Sequence, residues 1–238
     1  SHAKLVMESL NAGKNTFVEK PLALNLDELE KIQSAIENNQ SSILSVGFNR
    51  RFSPHLQKVK QSLGDNSGAI NIIATMNAGF IPKDHWVHDL DSGGGRIIGE
   101  ACHLIDVCVF LVSSPIISVC INSLGEAPKL DTDNASLLLK FQNGSNAMIN
   151  YFSNGSKKYS KERVEVYSQE RTWVVDNYRK TEAFGVRGFK TLKTKMDKGH
   201  KNPGLCVPPW KDHINELFLF QIYQKPHTHF EFFQNVTL

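Results

Sequence analysis

The sequence predicts two parts: the end of a doubly wound α/β domain, and an α+β domain with a large, mostly antiparallel open sheet and flanking helices. The first ~50 residues alternate between helical and strand patterns, which is typical of parallel strands joined by crossover helices. From residue 114 onward, strand patterns follow one another with turn residues between them, which indicates antiparallel neighbours. We place the boundary after residue 47, so the predicted domains are 1–47 and 48–238.

The elements of the first part are predicted from the spacing of apolar residues. Apolar side chains at helical spacing predict an opening helix that ends at Gly13. The segment NTFVEKP predicts a short buried strand that is broken by Pro21. Asn25 or Asp27 is then expected to cap a second helix, and SSILSVGFN predicts the next strand.

The second part begins with a helix and a strand and continues mainly as strands. Pro54 is predicted to open a helix that ends at Gly64, and AINIIATMNAGF predicts a strand. The helix predicted over Glu100–Val112 is apolar almost all round, so it should be buried. A last helix is predicted over 210–223. Five strands are predicted between these two helices, in the segments IISVCINSL, NASLLLKFQNG, SNAMINYFSNG, ERVEVYSQE and RTWVVDNY.

Composition argues against several classes of function. The formal net charge of +3 is too small to indicate nucleic acid as the main partner, and the basic segment 190–201 is predicted to be a solvated loop or strand face. No apolar run reaches the length of a membrane-spanning helix, and the first residues do not resemble a signal peptide. The four cysteines show no CxxC spacing, which favours free thiols in a reducing compartment such as the cytoplasm.

Polar residues follow both strands that are predicted in the first part. Glu19 and Lys20 precede Pro21 at the end of one strand, and Asn49, Arg50 and Arg51 follow the other. Ligands of parallel sheets bind at the carboxyl ends of the strands, and a desolvated lysine there can move a proton. Amide and guanidinium groups suit carboxamides, hydroxyls or phosphates. Taken singly, each segment is more typical of an exposed strand end or loop than of a binding site.

The stretch GGGRIIGEACHLID, which ends at Asp106, concentrates polar residues at the start of a buried helix. On a helix, Glu100 and His103 share one face, as do His103 and Asp106. The glycines allow close backbone approach, but they lack the GxGxxG spacing of a dinucleotide-binding turn. The stretch is therefore compatible with an acid–base site or with a buried helix start whose polar groups find partners.

A metal site is not predicted in this stretch. Cys102 and His103 are adjacent, so their side chains diverge by about 100° around a helix. Zinc needs ligands that converge, which argues against a zinc site here. We likewise do not expect Cys102 to act as a nucleophile.

The segments HAKLVMESLNAGKNTFVEKPLAL, VGFNRRFSP and GGGRIIGEACHLIDV, in this order and spacing, resemble the Gfo/Idh/MocA family of NAD(P)-dependent oxidoreductases. The final HFEFFQNVTL resembles the C-terminal end of the family. The resemblance implies that the first domain is the C-terminal part of a dinucleotide-binding domain, with NAD or NADP as cofactor. It also implies hydride transfer between the nicotinamide and a hydroxyl carbon of a sugar, nucleotide-sugar or polyol.

By the same resemblance, Lys20 would contact the reacting hydroxyl and His103 would be the acid–base partner. The family often has an aspartate four residues before this histidine, where this sequence has Gly99. Either Glu100 takes the acidic role, or Lys20 and His103 act alone. The resemblance further implies cofactor-side roles for Glu19, Pro21, Asn49 and Arg51, and we expect Trp86 and Asp106 to bind the substrate.

The resemblance leaves a second hypothesis open. The first strand and the phosphate-binding turn of a dinucleotide-binding domain are not found, so this stretch by itself is expected to bind dinucleotide weakly or not at all. A non-catalytic binding or assembly module is therefore the alternative. In either case, an open sheet with one apolar face predicts a homo-oligomer.

Overall fold

The computed structural model describes residues 2–64, 68–89, 93–125 and 132–200. Cys206 and the helix predicted over 210–223 lie outside the described residues. Among the helices that are described, none has the length and apolar character needed to cross a membrane.

Two helices and two parallel strands form the first part of the chain. Helix α1 (His2–Asn11) leads to β1 (Thr16–Val18), and α2 (Leu26–Asn38) leads to β2 (Leu44–Val46). The strands pair in parallel, as predicted. Of the two predicted caps for α2, Asn25 is the one used, because its side-chain oxygen accepts a hydrogen bond from the first helical turn.

The second part begins at a 3₁₀ turn, Arg50–Phe52, and continues into α3 (Pro54–Leu63). Strand β3 (Asn71–Asn77) follows, and a π-helical turn, Ile97–Ala101, leads into α4 (Cys102–Val112). The helix predicted from Glu100 is thus divided between this turn and α4. The remaining strands are β4 (Ile116–Ser123), β5 (Asn134–Phe141), β6 (Asn146–Phe152), β7 (Glu162–Ser168), β8 (Arg171–Asp176), β9 (Lys180–Phe184) and β10 (Leu192–Lys193).

Strands β3 to β10 form one sheet in the order β10-β9-β8-β7-β3-β6-β5-β4. Neighbouring strands of this sheet are antiparallel, except that β3 and β6 pair in parallel. Strand β3 lies between the hairpins of β4, β5 and β6 on one side and those of β7 to β10 on the other. Strands β9 and β10 were not predicted. They are short strands with several charged residues at one end of the sheet, where β9 pairs with β8 and β10 pairs with β9, and neither shows an apolar pattern.

One face of the large sheet is covered and the other is open. Helices α3 and α4 pack on the covered face, where alternate strand residues join one large apolar cluster. Ile73, Leu138 and Met148 lie exposed on the other face. The predicted fold class, a small parallel sheet followed by a large and mostly antiparallel open sheet with helices, is confirmed.

Candidate active site

A cavity of about 1080 Å³ lies at the carboxyl ends of β1 and β2. It is bordered by the segment that follows each strand, by the π-helical turn and by the start of α4. This is where ligands of parallel sheets bind. Of the residues predicted for the site, the cavity is lined by Glu19, Lys20, Pro21, Asn49, Trp86, Glu100 and His103.

Lys20 connects the end of β1 to the π-helical turn. Its Nζ donates a hydrogen bond of 2.7 Å to the carbonyl oxygen of Gly99. The Lys20–Pro21 peptide is cis. The ammonium of Lys20 is therefore held at the residue where the family pattern has a carboxylate.

His103 reaches the cavity from the first turn of α4 and is only 4% exposed. Its Nε2 lies 2.8 Å from Nη1 of Arg50. Burial, together with the nearby cations Arg50 and Lys20, lowers the pKa of His103 to about 2. His103 is therefore neutral in the folded protein. Nδ1 of His103 has no hydrogen-bond partner among the described residues.

Arg50 is held by a buried carboxylate. Its Nε and Nη2 donate to the two oxygens of Glu162 at 3.3 and 3.1 Å, and Nζ of Lys198 also donates to Glu162. Burial alone would lower the pKa of Arg50, but Glu162 raises it above its ordinary value. Conversely, burial alone would raise the pKa of Glu162, but Arg50 and Lys198 bring it below its ordinary value. Arg50 and Glu162 therefore stay charged.

Asn49 joins the cavity wall to the segment after β10. Its Nδ2 donates to the carbonyl oxygen of Lys198 at 2.8 Å, and its Oδ1 accepts from Nη1 of Arg50 at 2.9 Å. Asn49 borders the cavity as expected, but its amide already binds protein groups on both sides.

Arg51 and Asp106 are buried against each other. Nε of Arg51 lies 3.1 Å from both carboxylate oxygens of Asp106, and Nη2 makes a further short contact. Burial raises the pKa of Asp106, and the charge of Arg51 opposes that effect. Neither residue belongs to the described lining of the cavity. Their expected contacts with cofactor and substrate stay predictions, and this geometry does not support them.

Glu100 and Trp86 both border the cavity. In the sequence, Trp86 precedes and Glu100 follows the glycines at positions 93–95, which we call the glycine segment. The carboxylate of Glu100 lies 3.5 Å from Nε of Arg96, a buried arginine that also donates to the carbonyl oxygen of Gly79. Trp86 is 64% exposed, so its ring is available to a ligand. Glu100 is thus the carboxylate nearest in sequence to the backbone group that binds Lys20.

The glycines of this segment serve close packing within the protein. A Cβ at Gly93 would lie 2.6 Å from the carbonyl oxygen of Trp86, and Gly94 has a left-handed backbone. The lack of a side chain at Gly93 thus lets the backbone of Trp86 approach it closely.

Cys102 turns away from the cavity. It packs among the apolar residues of α1, α2 and the small sheet, and burial raises its pKa to about 11, so the thiol stays protonated. Within the described residues, no three His, Cys, Asp or Glu side chains are arranged to hold a metal ion.

Two site residues, Glu162 and Lys198, were not predicted, and Arg50 was expected at the end of the strand but without a role of its own. A signal for Glu162 exists, because it shares the buried face of β7 with Val164 and Val166 and a carboxylate there needs a partner. The partner could not be identified from sequence spacing. Lys198 lies in the basic segment predicted to be solvated; Lys193 and Lys195 are exposed as predicted, but Lys198 reaches Glu162.

Two family models match this chain. The model described as "GFO/IDH/MocA C-terminal domain" matches residues 59–174. The model described as "Oxidoreductase family, NAD-binding Rossmann fold" matches residues 1–48. Together they cover both cores of the fold.

Curated relatives are similar over about three quarters of the chain. The uncharacterized oxidoreductase YrbE of Bacillus subtilis is 28% identical over 186 residues, which are 76% of this chain and 53% of the relative. The inositol 2-dehydrogenase of Rhizobium meliloti is 26% identical over 187 residues, which are 75% of this chain and 55% of the relative. The chain thus spans about half the length of these relatives.

Solved structures share the fold. A putative oxidoreductase from Thermotoga maritima superposes with a TM-score of 0.72 at 18% identity, over 94% of this chain and 74% of that one. A levoglucosan dehydrogenase, solved in complex with NADH and levoglucosan, gives a TM-score of 0.68 at 21% identity, over 94% of this chain and 68% of that one. From the two family models, the relatives and the fold, the chain belongs to the Gfo/Idh/MocA family of oxidoreductases.

Proposed function

We propose that this chain carries the substrate-binding and catalytic residues of an NAD(P)-dependent dehydrogenase that acts on a hydroxyl carbon of a sugar, nucleotide-sugar or polyol. The observation that carries the proposal is the meeting of Lys20 and His103 at one cavity beyond the ends of parallel strands. Relatives named inositol 2-dehydrogenase and a structural neighbour that binds levoglucosan support a polyhydroxylated substrate.

The cavity fits a nicotinamide cofactor on physical grounds. Its volume of about 1080 Å³ has room for a nicotinamide and a sugar-sized substrate together. At the end of β2, a Cβ at Gly47 would lie 3.0 Å from Oε2 of Glu19, so glycine lets the Glu19 carboxylate pack against that edge. Glu19 and Pro21 would border the nicotinamide, with Asn49 and Arg51 behind them. When bound, the cofactor supplies the hydride donor or acceptor.

The residues of the chain supply the proton chemistry. In the reductive direction, Lys20 donates a proton to the carbonyl oxygen of the substrate as the carbon gains a hydride, and oxidation reverses both transfers. His103 contacts the same oxygen. Glu100 supplies negative charge to this wall, and Trp86 packs against the substrate.

The test uses the full-length protein. NADH fluorescence is titrated first, and turnover is then measured with a cyclitol, a pyranose and a nucleotide-sugar. Lys20→Ala is expected to lower turnover by about 10²-fold or more, since general acid–base catalysis contributes at least that. Lys14→Ala removes an exposed lysine before β1 and serves as the matched control. Absence of both NADH binding and turnover would favour a non-catalytic binding module, and unchanged turnover in Lys20→Ala would contradict the role of Lys20.

We further propose that the protein forms a homo-oligomer through the open face of the large sheet. Met148 pairs in register with both Ile73 and Leu138, so these exposed side chains form a continuous apolar row across three strands. A second copy would bury this row. Light scattering should show at least a dimer, and Met148→Asp should dissociate it, whereas a wild-type monomer would contradict the proposal. Within the described residues, Cys102 and Cys120 form no disulfide bond, which fits a cytoplasmic location.

A further inference from the structure

We propose that Arg50 is a positioning residue that locks His103 in the neutral form with its proton on Nδ1, so that His103 meets the substrate as a hydrogen-bond donor. The two side chains come from separate parts of the fold. Arg50 lies in the 3₁₀ turn after β2, and His103 lies at the start of α4.

The direction of the contact fixes the tautomer. A guanidinium has only donors, so Nη1 of Arg50, 2.8 Å from Nε2 of His103, must donate. Nε2 therefore presents its lone pair, and the single proton of a neutral imidazole is then on Nδ1. Protonation of Nε2 would set two N–H groups against each other.

Arg50 cannot easily turn away from His103. Its Nε and Nη2 are bound to both oxygens of Glu162, and Nη1 also donates to Oδ1 of Asn49. Glu162 is buried and is shared with Lys198, which leaves the carboxylate fixed between two cations. The direction of the Arg50 hydrogen bond is thus set by β7 and by the segment after β10.

The groups that face His103 from the surrounding elements are cationic or neutral. Lys20 approaches from the segment after β1, Arg50 from the 3₁₀ turn, and Lys198 and His200 from the segment after β10. Glu162 lies behind Arg50 and is paired, and Asp106, one turn along α4, is bound to Arg51. Protonation of the imidazole would place a further positive charge among these cations, and it is therefore unfavourable.

Nδ1 of His103 is left for a ligand. It is buried and has no hydrogen-bond partner within the part of the chain that the structure describes, although the residue borders the cavity. A buried N–H without an acceptor is unfavourable, so a substrate oxygen is the group it lacks. This part rests on the proposed function; the tautomer itself does not. Proton exchange then falls to Lys20, while His103 orients the oxygen.

The tautomer can be read from long-range ¹H–¹⁵N correlation spectra of the ¹⁵N-labelled chain. The His103 signals are identified by their loss in His103→Gln. We expect a pyrrole-type shift for Nδ1 and a pyridine-type shift for Nε2, both unchanged from about pH 8 to about pH 5. A pyrrole-type Nε2, or titration of His103 within that range, overturns the proposal.

Arg50→Gln removes the guanidinium charge and weakens the hydrogen bond to Nε2 of His103. His103 is therefore expected to titrate within that pH range and to populate the other tautomer. Arg50→Lys should restore the neutral form in part, because it keeps a cation that donates. Arg163→Gln removes an arginine that pairs with Glu165 instead, and it should leave the His103 signals unchanged. If Arg50→Gln does not fold, the wild-type spectrum alone decides the proposal.

Turnover of the full-length protein separates this inference from the proposed function. If no substrate is turned over but the Nδ1–H tautomer is observed, the proposal about the His103 tautomer holds and the proposed function fails. If the enzyme is active and His103 carries its proton on Nε2, the proposed function holds and the proposal about the tautomer fails.

Discussion

The ammonium of Lys20 donates a 2.7 Å hydrogen bond to the carbonyl oxygen of Gly99, which lies 79 residues further along the chain. The bond ties the end of the small parallel sheet to the π-helical turn that leads into α4. Since π-helical turns leave backbone carbonyls outside the regular helical pattern, such a carbonyl can bind a side chain. The position of Lys20 therefore depends on the backbone at Gly99 and not on a side chain there.

Residue 99 is expected to tolerate a side chain, and residue 93 is not. A Cβ at Gly99 would come no closer than 3.9 Å to the carbonyl oxygen of Gly93, so Gly99→Ala should change the unfolding free energy by less than about 1 kcal/mol. A Cβ at Gly93 would lie 2.6 Å from the backbone of Trp86, so Gly93→Ala should cost about 1–3 kcal/mol. Urea unfolding measures both. Equal costs would show that the packing of the glycine segment differs from this description.

The Arg51–Asp106 pair is expected to be strongly coupled. Arg51→Met or Asp106→Leu alone leaves one buried charge without its partner, which costs about 3–5 kcal/mol. The double variant should cost clearly less than the sum of the two, because neither charge remains. A double-mutant cycle in urea measures the coupling. Additive costs would mean that the two side chains act independently.

Stability is expected to fall as the pH decreases through the histidine range. The pKa of His103 is lowered to about 2 in the fold, whereas an unfolded histidine titrates near 6.5, so the unfolded chain gains a proton first. The stabilisation is complete above about pH 6.5 and is lost below it, at up to about 1.4 kcal/mol per pH unit. Between about pH 6.5 and about pH 5 the carboxylates contribute little. In this range the free energy of unfolding of His103→Gln should depend much less on pH than that of the wild type, as measured by urea unfolding at each pH.

Burial also lowers the pKa of His55, so His55→Gln should remove a further part of the same slope. If the wild type and both variants have the same slope, neither histidine is held neutral by the fold.

Gly199 is expected to be needed for the contact between Lys198 and Glu162. It has a left-handed backbone with φ of 85°, and a Cβ there would lie 2.3 Å from the carbonyl oxygen of Asn49. Gly188 has a similar φ of 76° but open space around it, so Gly188→Ala carries the backbone cost of about 1 kcal/mol without the clash. Gly199→Ala should cost about 1–3 kcal/mol more in urea unfolding. Equal effects would place the segment after β10 further from the 3₁₀ turn.

Much of the fold follows from local patterns. Apolar spacing and turn residues predict the parallel pair of strands, the buried α4 and the meander because these features depend on neighbours in sequence. The pairing of β3 with β6 does not follow from local patterns, since the paired residues are about 75 positions apart in the sequence. Strands β9 and β10 lack an apolar pattern, and they join the sheet by pairing of β9 with β8 and of β10 with β9.

The site was predictable only where its residues follow a strand or begin a helix. Lys20, Asn49 and His103 were found in this way. Residue spacing does not predict which of the two adjacent arginines faces His103. That depends on the orientation of the 3₁₀ turn. Glu162 and Lys198 join the site through tertiary contacts alone, with partners 112 and 36 residues away in sequence.

The neighbouring arginines of the 3₁₀ turn also set different limits on how this sequence can vary. A change at Arg51 requires a matching change at Asp106, whatever the substrate, because both side chains are enclosed by the core. A change at Arg50 alters the chemical character of a histidine on the cavity wall, while Lys198 still neutralises Glu162. One peptide bond thus separates a position tied to the architecture from a position through which related enzymes could acquire a different reactivity.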